Sequence, residues 1–351
     1  MLTVSHHQIT QLLNRLTASR CRQMINELSN GLATLAGESQ LPTSQRSIHQ
    51  PMRTHFTNQK GDRNLFMPST DGSLSTIKLL TVPGDGNPAR GLVVISKADG
   101  QPLGIISAGG LTAFRTALAS MTLFAHSPWP KENIAVFGAG PVAAWHARLA
   151  VLLYPDEVSR VAFIGRSRSS LDRLIHSTKP ALHQLSPNLS IDSLSQQETT
   201  GYNKRLREIV SASDVLFYCT PATEPLFPHS YLKAENDGQA PRGRFISLVG
   251  SHKPGMQEVD TETLLSGNGK VYVDSKEGCL NEAGEIIKAD LKAKDLTEIG
   301  ELFRSRKEIH VGGAHNIVYK SVGIGLMDLI IGKALLDVAR EEGLGTEIGE
   351  I

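Results

Sequence analysis

The stretch Asn133-Ile134-Ala135-Val136-Phe137-Gly138-Ala139-Gly140-Pro141-Val142-Ala143 decides how the rest of this chain is read. Its first five residues form a short, mostly apolar run that predicts a strand, and the next six fit G-x-G-x-x-G/A at the opening of a helix that runs to about Leu153. The first glycine permits the tight turn, the second lets backbone approach a pyrophosphate, and Ala143 allows close helix–strand packing. The first N–H groups of such a helix face the phosphates. A glycine-rich structural turn satisfies the motif equally well in isolation. The apolar run Val161–Ile164 completes a strand–helix–strand unit and turns the motif into a dinucleotide-binding expectation.

The end of that second strand selects the cofactor. It reads Ile164-Gly165-Arg166-Ser167-Arg168, with no carboxylate to meet a ribose 2′-hydroxyl. Two guanidiniums and a hydroxyl suit a 2′-phosphate, which favours NADPH (NADP) over NAD; a solvated basic turn is the alternative.

Further out, nearly all-apolar runs at 214–219, 244–249 and 270–274 predict strands buried on both faces of a parallel sheet. The expected fold class is α/β, with a Rossmann-type doubly wound parallel sheet over residues 129–319. Before it, Ser5 to Gln8 has the form of a capping box ahead of Ile9, Leu12, Leu13 and Leu16 at helical spacing. A second helix is expected over 19–36, strands at 75–80 and 92–96, and a helix over 111–124 that Ser127-Pro128-Trp129-Pro130 ends as a linker. A helix over 323–342 carries Ile324, Leu329, Ala334, Leu336 and Val338, a face too apolar to lie free. It is expected to return to the start of the chain, so that 1–128 and 320–351 form one split α+β lobe for substrate binding and dimerisation.

Composition bounds the function. A length of 351 residues suggests about two domains, and 36 Lys+Arg against 35 Asp+Glu leaves no excess to draw the chain to nucleic acid or an anionic membrane. No apolar run approaches the roughly 18 residues of a membrane helix. The opening Met1-Leu2-Thr3, soon reaching His6, His7 and Gln8, lacks the basic start and apolar core of a secretory signal. Cys21, Cys219 and Cys279 make neither a disulfide framework nor a metal knuckle, so a reducing, cytoplasmic setting is expected. Among the histidines, His310 and His315 bracket a glycine pair, without a partnering Cys or carboxylate at ligand spacing.

Several blocks in order resemble the ornithine cyclodeaminase/μ-crystallin family: Met67-Pro68, Leu111 to Ala117, the Gly138–Ala143 turn with His146, Val273-Asp274 leading to Glu282-Ala283-Gly284, and Lys320-Ser321-Val322-Gly323 followed by Asp328. The resemblance implies a Rossmann domain with a split second lobe, mostly in homodimers, and a small amino-acid-like substrate. It also implies that Arg53, Lys78 and Arg115 bind substrate, with Val322 beside them. On the cofactor side it points to Gly138, Gly140, Pro141 and Val142 at the pyrophosphate, Thr220 after the fourth strand, Val249, Gly250 and Ser251 after the fifth, and Ser321 near the nicotinamide. Such roles suit the side chains: Arg offers a bidentate fork for a carboxylate, and a Lys near two arginines loses its proton more readily. Lys78 in Ile77-Lys78-Leu79-Leu80 and Arg115 among Ala and Leu need a reason to be buried, although a salt bridge is the ordinary explanation of either.

Two positions depart from the family pattern. Cyclodeaminases carry Gly-x-Asp after the fifth strand, whereas this chain has His252 where that Asp would stand; Val142 replaces a common Gln. An imidazole moves protons near neutral pH but supplies no fixed anion for an ornithine ammonium. The expected activity is therefore an NAD(P)H-dependent oxidoreductase reducing a C=N bond next to a carboxylate, with Lys78 and His252 as catalytic candidates. The alternatives are an ornithine cyclodeaminase and a non-enzymatic NADPH-dependent binder.

Overall fold

The computed structural model describes residues 1–85, 87–198, 200–233, 242–305 and 315–349, so His310 lies outside the described residues. The described chain divides into two compact units, one of 1–119, 303–305 and 323–349 and one of 120–302 and 315–322.

The second unit is built around the strand Asn133–Phe137 and the glycine turn that follows it. Its eight strands run in the order Leu296–Glu298, Val271–Val273, Ile317–Lys320, Phe245–Leu248, Val215–Tyr218, Asn133–Phe137, Arg160–Gly165 and Ser190–Ser195. Every neighbouring pair is parallel. The chain enters at Asn133–Phe137, winds outward through two strands, then crosses to Val215–Tyr218 on the other side. This is the doubly wound order, and its switch point lies beside Asn133–Phe137. The central strands 215–218, 245–248 and 317–320 are buried at every residue, because helices and loops cover both sheet faces. Ser190–Ser195 escapes sequence reading because its Ser and Asp residues hide the apolar pattern.

The first unit holds a seven-stranded mixed sheet: Thr346–Glu347, Leu2–Val4, Pro102–Ser107, Arg90–Lys97, Leu74–Val82, Arg63–Thr70 and Thr54–Thr57. Alternation puts Leu65, Met67, Thr76, Lys78, Leu80, Val93, Ile95 and Ile106 on one buried face, against which the helix Gly325–Glu341 packs. That helix also packs on the helix Ala18–Glu38, so the two ends of the chain share a core. The opposite sheet face carries Phe66, Pro68, Leu79, Leu92, Val94 and Ile105, all partly exposed. At the chain start, Ser5 and Gln8 make the reciprocal capping box of the helix His6–Arg15.

The unit boundary does not fall at Ser127–Pro130 or at residue 320. It falls inside the continuous helix Ala108–Phe124, whose last turn carries Phe124 against Phe217 and Phe245, again between Leu302 and Phe303, and again after Val322. The proline pair marks the end of a helix, and the aromatic contact decides which unit that end joins.

Candidate functional site

Three elements of the first unit converge on one buried carboxylate. Lys78 points inward from the strand Leu74–Val82 with 1% of its surface exposed, and its Nζ lies 3.2 Å from both oxygens of Asp328. Arg115, on the helix Ala108–Phe124, donates from Nε to Asp328 Oδ1 at 3.2 Å and from Nη1 to Met327 Sδ at 3.6 Å. Asp328 itself is fully buried in the first turn of Gly325–Glu341, where the helix dipole favours an anion. Gly323 sits at φ +82°, a conformation that favours glycine, and a Cβ there would come within 2.5 Å of Arg115 Nη1 and oblige the guanidinium to shift.

Two cations of this cluster share a single carboxylate. Burial pushes the Lys78 ammonium down to about 7; Arg115 and Arg53 add to the shift while Asp328 opposes it. The two arginines act as the sequence argument requires, but loss of water is the larger cause. Arg53, half-buried just before the strand Thr54–Thr57, thus belongs to the same field. Two buried cations, Lys78 and Arg115, share the one carboxylate of Asp328, and Arg53 lies near enough to act on Lys78, an arrangement suited to an anionic partner.

In the second unit the glycine turn has the geometry its motif demands. Gly138 adopts φ +124°, and a Cβ there would meet the Cys219 carbonyl oxygen at 2.8 Å. At Gly140 a Cβ would meet nothing within 4 Å, so there is open space where backbone is to approach a phosphate. Gly140 caps the helix Pro141–Leu153 without a side-chain hydrogen bond, and Pro141 opens it, leaving the first N–H groups for an anion. Val142 contributes its carbonyl to the buried His146 ring, 2.8 Å from Nδ1, while Ser120 Oγ lies 2.9 Å from Nε2. Burial holds that imidazole down to about 4, so it is neutral and packs as part of the turn's foundation. These residues fit a dinucleotide.

At the next strand end the two arginines part company. Arg168 donates to Asp172 at 2.7 Å, Glu198 at 3.3 Å and Ser193 at 2.8 Å, which fixes its guanidinium within the unit. Ser167 caps the helix Arg168–Leu185. Arg166 is exposed.

The remaining predicted residues form the turns after three parallel strands. Thr220, Gly250 and Ser251 all donate to the buried Glu258, and Val249 N–H bonds the Tyr218 carbonyl at 3.0 Å. His252 is half-buried with Nδ1 2.9 Å from the Gly250 carbonyl. Ser321 Oγ donates to Asp274 Oδ2 at 2.7 Å and Val322 N–H to Asp274 Oδ1 at 3.3 Å. Sequence reasoning assigned no role to Asp328 or Glu258. A signal for the former existed: an Asp in Leu326-Met327-Asp328-Leu329 on an apolar helix raises the same objection that singled out Lys78. Glu258 lies in a polar loop and gave none.

The model of the ornithine cyclodeaminase/mu-crystallin family matches residues 18–343. The chain belongs to that family. It is 28% identical over 312 residues to a Delta(1)-pyrroline-2-carboxylate reductase of Bacillus thuringiensis, covering 84% of this chain and 86% of that one. It is 26% identical over 308 residues to the ketimine reductase mu-crystallin of Macropus fuliginosus, with the same 84% and 86% coverage. Among solved structures, the Thermococcus litoralis Delta(1)-pyrroline-2-carboxylate reductase in complex with NADH and L-proline superposes with a TM-score of 0.79. At 22% identity it covers 99% of this chain and 100% of its own.

Removing the carboxylate at the centre of the cation cluster leaves Lys78 and Arg115 unpaired in the core. Asp328→Asn is expected to cost about 3 kcal/mol of stability, measured by denaturant unfolding. A loss below about 0.5 kcal/mol would show the pair to be hydrated.

Proposed function

We propose that this family member is an NADPH-dependent reductase of a C=N bond adjacent to a carboxylate, in a cyclic ketimine or an imine of an oxo acid and an amine. The observation that carries the reading is the buried cation cluster, in which Lys78 titrates near neutral pH beside two arginines. Relatives named as pyrroline-carboxylate and ketimine reductases act on substrates that such a cluster suits. Arg53 and Arg115 hold the carboxylate as planar forks, and Lys78 donates the proton that the imine nitrogen acquires. The reduced nicotinamide, when bound, supplies the hydride. His252 is a second side chain of a type able to move a proton, with its Nδ1 2.9 Å from the Gly250 carbonyl. Cyclodeamination of ornithine fits less well, because an imidazole stands where that reaction places a fixed anion.

The preference for NADPH rests on Arg166 and Ser167. With Arg168 already bound to Asp172 and Glu198, Arg166 is the guanidinium left to meet a 2′-phosphate. A homodimer is supported by the outer face of the first unit's sheet, where Phe66, Leu79, Leu92, Val94 and Ile105 form a partly exposed apolar surface that a second copy would cover. None of Cys21, Cys219 and Cys279 forms a disulfide, which suits a reducing cytoplasm.

The test is consumption of NADPH, followed by absorbance, against a panel of cyclic imine acids and oxo-acid/amine pairs. Turnover of at least one is expected, and none across the panel would overturn the reading. Arg115→Ala is expected to lower kcat/KM at least ~100-fold while leaving the NADPH Kd within about twofold. Equal loss of both would remove Arg115 from the substrate site. Because Lys78 acts as an acid, kcat/KM for imine reduction is expected to fall as pH rises through about 7. That basic limb should vanish in Lys78→Met, whose residual rate follows only the substrate's own titration.

A further inference from the structure

The turns after Val215–Tyr218 and Phe245–Leu248 are held by a carboxylate that belongs to neither. Glu258 is fully buried. Its Oε1 accepts the Thr220 N–H at 2.7 Å and the Thr220 hydroxyl at 2.9 Å. Its Oε2 accepts the Gly250 N–H at 2.8 Å and the Ser251 N–H at 3.2 Å. Both oxygens thus face donors only, two from each turn. A second layer fixes Glu258 in turn. Glu285 accepts the Glu258 N–H at 2.9 Å and the Ser251 hydroxyl at 2.7 Å, while Lys320 Nζ donates to the Ser251 carbonyl and lies 3.4 Å from Glu285. The Thr220 turn borders the glycine turn, since Cys219 is what a Cβ at Gly138 would strike.

We propose that Glu258 is a positioning residue for the dinucleotide, its two oxygens bracketing the Thr220 and Gly250–Ser251 turns into one ledge at the carboxyl ends of the sheet, where doubly wound folds hold their ligand. This rests on the reading that the unit binds NADPH. A carboxylate serves best: an amide in its place turns an NH2 toward at least one backbone N–H in either orientation, and an apolar side chain leaves all four donors without this acceptor. Burial raises Glu258 to about 7, with Glu285 adding to the shift and Lys320 opposing it. Tyr218 and Cys219 also lie in its field, and both are held neutral by burial. Protonation puts a hydrogen on an oxygen that faces donors, so the bracket loosens as pH falls.

The experiment measures nucleotide Kd by fluorescence quenching and the imine-acid KM in full-length wild type and Glu258→Gln. The variant is expected to bind NADPH about tenfold more weakly, with KM for the imine acid at saturating NADPH within about twofold. In wild type, Kd should rise as pH falls through about 7 for NADH as well as NADPH, which separates the effect from titration of the nucleotide's 2′-phosphate. A folded variant with unchanged Kd overturns the bracket. Should the variant fail to fold, a wild-type Kd flat across that pH range for both nucleotides overturns it. A wild-type chain that binds neither nucleotide overturns the NADPH reading, and the bracket with it.

Discussion

Lys78 and Arg115 can occupy the interior of the first unit only because Asp328 reaches them from 250 and 213 residues further along the chain. Without a counter-ion a buried ammonium would lose its charge, and a buried guanidinium, which keeps its charge, would destabilise the sheet around it. The carboxylate therefore dictates that the helix Gly325–Glu341 return to the opening strands, and the apolar face of that helix makes the return favourable. Chain topology and site chemistry are one constraint: the split arrangement of terminal segments is what brings the three charges together.

The second unit uses the same device for a different end. Glu258 and Asp274 are buried acids whose partners are mostly backbone N–H groups and hydroxyls in turns at the carboxyl ends of parallel strands. Regular strands need no such help, because their backbone groups pair with each other. The turns that follow them lose those partners, and a buried carboxylate supplies several acceptors at once. A surface that must present backbone to a ligand is made rigid from beneath.

The parts of the molecule legible in the sequence are those where pattern and chemistry coincide. Gly138 and Gly140 punctuate an apolar run, the central strands are apolar at every residue, and Ser5 with Gln8 spells its own cap. Lys78 and Arg115 could be singled out because a charge in an apolar stretch demands an explanation. The strand Ser190–Ser195 could not, since its sequence reads like a polar loop and only pairing with Arg160–Gly165 makes it a strand. Arg166 and Arg168 look equivalent in sequence. They become distinct only when Asp172 and Glu198 take up one of them, and the latter lies 30 residues away. Glu258 was invisible for the same reason: its role is defined by four donors on two turns, none of which announces itself as a partner.

If the cations gathered at and near Asp328 serve to meet a carboxylate, the substrate's own carboxylate must carry most of the specificity. The decisive measurement compares kcat/KM for a cyclic imine bearing a carboxylate on the imine carbon with that for the same ring lacking it, at saturating NADPH. The acid is expected to be favoured by at least ~100-fold, the discrimination that loss of a buried, charge-assisted contact produces. Equal rates with the two rings would mean that the cations hold the fold together and recognise nothing.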